Sequence, residues 1–194
     1  MNSHTELLNF LAEKINAQTY IEIGVFNPEH NFNEIKVPHK ISVDPDPNAN
    51  AMAKMTSDEF FAKIPYVDID LIFIDGLHHS EQVKKDFDNA LKILSDSGFI
   101  VLHDCNPHSE GITHVPRDNG EWTGDVFKFI MTLSGYDGID FRTIDMDYGC
   151  CVVKRADRKG KPVNIPLTFE YFDKHRGSIK LVQEKDFYSW INKK

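Results

Sequence analysis

Asp70-Leu71-Ile72-Phe73-Ile74-Asp75-Gly76-Leu77-His78-His79 is a short, nearly all-apolar run that ends in a carboxylate and two imidazoles. A second run, Phe99-Ile100-Val101-Leu102, ends the same way at His103-Asp104-Cys105-Asn106-Pro107. Unbroken apolar runs of this length read as strands buried on both faces, the pattern of a parallel sheet. In open α/β sheets, ligands bind outside the carboxyl ends of such strands. The two runs therefore aim Asp75, His78, His79, His103 and Asp104 at one crevice.

Working outward, Ser3 and Glu6 have the form of a capping box, and Leu8, Leu11 and Ile15 form a helical stripe over about 4–16. Tyr20 to Val25 and His39 to Asp44 read as buried strands, the second stopped by Pro45 and Pro47. Between them, Glu29 to Ile35 is expected to hold only a brief helix. Ala49 to Met55 predicts a helix or the approach to a short strand, and Ser57 a helix cap. Ser80 caps a helix striped by Val83, Phe87, Leu91 and Leu94, which Ser97-Gly98 ends. Residues 105–121 form a long polar loop, a common place for a lid or binding loop. A helix over about 123–134 follows, with Thr123 or Asp125 as its cap. Ile139 to Ile144 and Cys150 to Val153 flank a tight turn, so they predict an antiparallel hairpin. The repeated strand–helix pattern is that of a doubly wound α/β sheet with right-handed crossovers. Residues 155–194, rich in aromatics, read as an appendage to a domain over 1–154, packed on that domain or at a homodimer contact.

The chain's 194 residues suffice for one domain with a sizeable core. A net charge of −8 argues against a nucleic-acid binder, which would normally be basic. No apolar run reaches membrane-spanning length, and no signal peptide is read at the start of the chain. Cys105, Cys150 and Cys151 are an odd set with one adjacent pair, a poor disulfide framework. They predict free thiols, the adjacent pair as small buried fillers, in a reducing, cytoplasmic setting.

Over about residues 19–154 the layout resembles the class I S-adenosylmethionine-dependent methyltransferases. Glu22-Ile23-Gly24 is similar to that family's first motif, and Asp44 to the carboxylate that closes the second strand. Phe73-Ile74-Asp75-Gly76-Leu77-His78 with Gly98 to Asp104 resembles the small-molecule and sugar O-methyltransferase branch that includes macrocin O-methyltransferase. The resemblance implies a Rossmann-like, mostly parallel seven-stranded sheet with a late antiparallel strand. It also implies a cofactor site of Glu22, Gly24, Asp44, Ser57, Asp58, Asp75 and Gly76, with Asp44 on the ribose and Ser57-Asp58 near the adenine. The sequence departs from the family pattern at Asn27-Pro28, where further glycines are usual.

Methyl transfer from a sulfonium requires an aligned nucleophile and commonly a base to take its proton. His78 or His79 suits the base, because imidazole titrates near neutral pH; the family match favours His78. His103-Asp104 forms a second imidazole–carboxylate pair. Asp75, Asp104 and Asn106 offer oxygens for Mg²⁺, which related O-methyltransferases place at these strand ends. Arg117, His108 and His114 are candidates to bind an anionic or sugar acceptor, and Trp122 to pack or to line its pocket. The expected activity is S-adenosylmethionine-dependent O-methylation of a sugar or other small polar acceptor. Two alternatives stand beside it. One is a non-catalytic nucleotide-binding module on a degenerate methyltransferase fold. The other is a nicotinamide-dependent oxidoreductase, disfavoured because residues 24–29 lack the G-x-G-x-x-G turn.

Overall fold

The computed structural model describes residues 1–65, 67–118 and 120–193. Asn119, in the loop expected over 105–121, and Lys194, at the end of the expected appendage, lie outside the described residues. Seven strands form one sheet: β1 (Thr19–Ile23), β2 (His39–Val43), β3 (Ile69–Ile74), β4 (Leu94–Leu102), β5 (Ile139–Ile144), β6 (Cys150–Arg155) and β7 (Leu181–Val182). The helices are α1 (His4–Ile15), α2 (Ser57–Lys63), α3 (Ser80–Ile93), α4 (Val126–Ile130), α5 (Phe169–Lys174) and α6 (Glu184–Ile191). Spatial order is β2-β1-β3-β4-β6-β5-β7. β6 runs antiparallel to both neighbours, while the other pairs are parallel. The chain is thus α/β with a Rossmann-like, mostly parallel sheet.

Strand side chains alternate between two cores, because successive residues point to opposite faces. Ile21, Ile23, Ile72, Ile74, Ile100 and Leu102 pack with Val83, Phe87 and Ala90 of α3 and with Phe127 and Ile130 of α4. Tyr20, Leu71, Phe73, Phe99 and Val101 pack on the opposite face with Leu7, Leu8 and Leu11 of α1 and Phe187 and Trp190 of α6. Both faces are covered, which is why Leu71–Ile74 of β3 and Phe99–Leu102 of β4 carry no polar residue. Cys105, Cys150 and Cys151 are buried free thiols. Burial raises the Cys105 thiol well above its ordinary value and pushes Cys150 up to about 12, so both are inert fillers.

Several local expectations are corrected. Ala49 to Met55 forms neither helix nor full strand; it makes one isolated bridge, Ala53 to Val43. The seventh strand comes instead from the C-terminal segment, where β7 pairs with β5. The brief helix expected over Glu29 to Ile35 is a single 3-10 turn, Phe32–Glu34. Thr56, not Ser57, caps α2, in a reciprocal capping box with Glu59. Ser80 is the first residue of α3 rather than its cap. His79 stands at the cap with no side-chain bond there. Asp125 supplies the missing acceptor, its Oδ1 taking the Ser80 N–H at 2.6 Å. β4 starts at Leu94, directly after α3, so Ser97-Gly98 lies inside the strand. The helix expected over 123–134 shrinks to α4 and a 3-10 turn, Leu133–Gly135. No described helix is long and apolar enough to cross a membrane.

Candidate active site

A cavity of about 710 Å³ opens at the carboxyl ends of β1, β2 and β3, a size that suits a nucleotide-sized ligand. Glu22, Gly24, Asp44, Ser57, Asp58, Asp75, Gly76 and His78 all line it. It also takes in His4, Phe26, Gln82, Arg117 and Trp122. These groups converge because each follows or opens an element packed on the same edge of the sheet.

Gly24 lets the β1 and β3 ends meet. Its φ is +84°, and a Cβ there would collide with the backbone of Asp75 and Gly76. Phe26 also has a left-handed backbone, with φ 49°. The second glycine-like conformation therefore falls at Phe26, not at Asn27-Pro28, and the strain is borne by a bulky, exposed residue. Asp44 steadies this loop. Its Oδ2 accepts the N–H groups of Val25 and Phe26, both at 3.0 Å, and its Oδ1 accepts that of Asp46 at 2.8 Å. Ser57 and Asp58 are tied to the cavity residue Gln82, whose amide donates to both side chains.

Glu22 is buried beneath the cavity floor. Its Oε2 accepts from the Tyr20 hydroxyl at 2.5 Å and the Asn31 amide at 2.8 Å. Burial raises its carboxyl from an ordinary 4.5 to about 7, against the lowering effect of these two donors. The raised folded value means that the protonated acid's contribution is fully present below pH 4.5 and is lost as pH climbs through about 7. Glu22→Gln, which stays neutral, is therefore expected to gain stability over the parent between pH 5 and pH 8. The gain should approach about 2 kcal/mol. Thermal melts at the two pH values check this; a gap between the proteins that does not change with pH refutes it.

Beside the cavity, His78 stands between two carboxylates. Its Nε2 is 3.3 Å from Asp75 Oδ1 and its Nδ1 is 3.1 Å from Asp104 Oδ2. The ring stacks on Trp122, with centroids 4.9 Å apart and planes within 18°. Gly124 presses on the His78 backbone so closely that a Cβ would strike the His78 carbonyl. His103 braces the cluster from below, Nδ1 to Asp75 Oδ1 at 3.1 Å. Burial works against protonating either imidazole. The carboxylates prevail: Asp75 and Asp104 raise His78, and Asp75, Asp104 and Asp147 raise His103 well above the ordinary range. Asp75, half-buried and faced by His103 and His78, is held well below the usual carboxylate range. Asp104 takes up a left-handed backbone, φ 59°, a strained turn of the kind found where side-chain aim matters.

The oxygen set expected for Mg²⁺ does not converge. Asn106 turns away from Asp75 and Asp104: its Oδ1 accepts from Arg176 Nη1 at 2.5 Å and its amide donates to Asp145 at 3.0 Å. Where a third oxygen would be needed, the imidazole of His78 stands between the two carboxylates. Mg²⁺ prefers octahedral oxygen ligation, so these residues do not fit it. Among the loop candidates, Arg117 reaches the cavity rim over the Trp122 ring. His108 and His114 are exposed, face Glu121 and Asp118, and lie off the cavity. His79 meets only the edge of Trp122. The stacking role of Trp122 and the placement of His4 carry no local sequence signal.

Residues 21–105 match the family described as "Methyltransferase domain". Among curated proteins, no relative matches by sequence. Solved structures share the fold. The S-adenosylhomocysteine-bound methyltransferase PaMTH1 of Podospora anserina superposes with a TM-score of 0.60 at 16% identity, covering 81% of this chain and 80% of that one. The Bacillus cereus O-methyltransferase in complex with S-adenosylhomocysteine gives 0.57 at 14% identity, over 78% and 80%. The Streptomyces achromogenes O-methyltransferase TomG, involved in tomaymycin synthesis and solved with S-adenosylmethionine, gives 0.57 at 16%, over 78% and 79%. Residues 21–105 are thus similar in sequence to a methyltransferase domain, and the sheet shares the fold of these solved methyltransferases.

Proposed function

We propose that the chain is an S-adenosylmethionine-dependent O-methyltransferase of a small polar acceptor such as a sugar. The observation that carries this reading is an imidazole, His78, fixed between two carboxylates at the rim of a nucleotide-sized cavity. When bound, the cofactor supplies an electrophilic methyl group. Gly24 would give its chain room, Asp44 and the β1 loop it steadies would hold the ribose, and Ser57 and Asp58 would hold the adenine. Glu22, Asp75 and Gly76 border the end of the cavity that takes the amino-acid portion.

His78 acts as the base. Because Asp75 and Asp104 raise the pKa of the ring, it serves as base once the pH exceeds that raised value. Its remaining proton then sits on Nδ1 toward Asp104. An acceptor hydroxyl arriving from the cavity replaces the long 3.3 Å contact between Nε2 and Asp75 and gives its proton to Nε2 as its oxygen takes the methyl group. Asp104, 3.1 Å from Nδ1, balances the imidazolium by its charge, while the stack on Trp122 orients the ring. His103 positions Asp75 and does not reach the cavity wall. Trp122 fixes the ring plane, and Arg117 at the rim suits an acceptor bearing an anionic or hydroxyl-rich group. The solved neighbours bound to S-adenosylmethionine or S-adenosylhomocysteine support the cofactor assignment.

The purified protein is to be incubated with S-adenosylmethionine and a panel of sugars, nucleotide sugars, catechols and amines. The reading predicts S-adenosylhomocysteine release only with hydroxyl acceptors, and a product heavier by one methylene on oxygen. Transfer confined to amines would overturn the O-methylation assignment.

A further inference from the structure

We propose that His4, His103 and Asp147 form a binding site for one divalent first-row transition-metal ion, at the edge of the cavity that takes the cofactor. The three residues come from the first turn of α1, the end of β4 and the β5–β6 turn. Two imidazoles and a carboxylate form the donor set that suits such ions, in contrast to the all-oxygen set of Mg²⁺.

The spacing fits one ion. His4 Nδ1 lies 2.6 Å and His103 Nε2 3.6 Å from Asp147 Oδ2, and one donor atom from each residue lies within 4.8 Å of the others. Donors bound at about 2.0–2.2 Å to a common ion stand roughly 3–3.5 Å apart, so small side-chain shifts complete the set.

His103 is the observation that points to a ligand. Its Nδ1 faces Asp75 Oδ1 at 3.1 Å. An N–H donated there leaves a lone pair on Nε2, the arrangement in which a carboxylate fixes the tautomer of a metal-bound histidine. That Nε2 is buried and has no hydrogen-bond partner among the described residues. It points at a carboxylate beyond hydrogen-bond reach, an arrangement that is repulsive unless a positive charge lies between. In the metal-free chain a proton serves; an ion bonded to all three donors fills the same gap. The ring of His4 is fixed by stacking on Phe73, with centroids 5.4 Å apart. The ion has access from two sides, since His4 lines the large cavity and Asp147 a smaller one of about 330 Å³ beside Asn106 and Arg176.

The test uses the full chain without a polyhistidine tag, stripped with a chelator and titrated with Co²⁺ by visible absorption and calorimetry, with Zn²⁺ as competitor. One Co²⁺ per chain is expected. His4→Ala and the near-isosteric Asp147→Asn should each weaken binding by about 100-fold or more, since even indirect partners of a metal site cost about 10- to 100-fold. Asp104→Asn, in the neighbouring cluster around His78, should change it by less than about threefold. Far-ultraviolet circular dichroism and S-adenosylhomocysteine titration of the same samples verify the fold, and they keep a failure of this site distinct from a failure of the cofactor assignment. Two results overturn the proposal. One is no Co²⁺ uptake by the folded parent protein. The other is binding lost in Asp104→Asn and His78→Ala but kept in His4→Ala.

Discussion

Replacing His78 by alanine is expected to lower turnover by about 100-fold or more while leaving the affinity for S-adenosylhomocysteine within about threefold. The split follows from where the ring stands. His78 borders the cavity and faces Asp75 and Asp104, so removing it deletes the proposed proton acceptor and leaves the β1 and β2 ends intact. Asp104→Asn should move in the same direction by a smaller factor, because the ring keeps its place against Trp122 but loses the charge that balances the imidazolium. Single-turnover rates and calorimetric affinities measured on the same preparations separate the two effects. If His78→Ala turns over like the parent, the base lies elsewhere and the imidazole–carboxylate cluster is structural.

Gly24→Ala is the second large effect, and here binding and stability fall together. The residue sits at φ +84°, where a side chain is strained, and its Cβ would be driven into the Asp75 and Gly76 backbone. Strain and overpacking together should cost about 3 kcal/mol of stability or more. The β1 and β3 ends must part to make room, which displaces Asp75 and widens the cradle, so cofactor affinity should drop at least about tenfold. Denaturant melts and S-adenosylhomocysteine titration check both arms. A variant with parental stability and affinity would show that the close approach of these two loops is dispensable.

The frame of this site is legible in the sequence because its strands advertise themselves. Leu71–Ile74 and Phe99–Leu102 are apolar on both faces, so the residues after them had to emerge at one sheet edge. That reasoning brings Asp75, His78, His103 and Asp104 together, as the structure has them. It fails for Asn106, where proximity in sequence misleads. The left-handed turn at Asp104 carries the chain away, and Asn106 meets Arg176 from the far C-terminal segment. His4 and Asp147 are equally silent in the sequence, one inside an amphipathic first turn and the other in a tight hairpin turn. Their meeting with His103 depends on the packing of α1 over β3 and β4, which no local pattern encodes. β7 is two residues long, too short to show a period, and the missing strand near Ala53 leaves only a bridge. The segment expected as an appendage adds a sheet edge through β7 and buries Phe187 and Trp190 beneath α1.

The cavity at the ends of β1, β2 and β3 is proposed to take S-adenosylmethionine. Calorimetric titration of the full chain with S-adenosylmethionine and S-adenosylhomocysteine, with NAD as comparison, tests it most directly. Micromolar binding of the first two is expected, one per chain, with none of NAD and a clear loss in Asp44→Ala, whose carboxylate holds the loop at Val25 and Phe26. No binding of either sulfur compound by the folded protein would contradict it. The strained, glycine-poor loop at Phe26 would then mark a methyltransferase fold that has lost its cofactor.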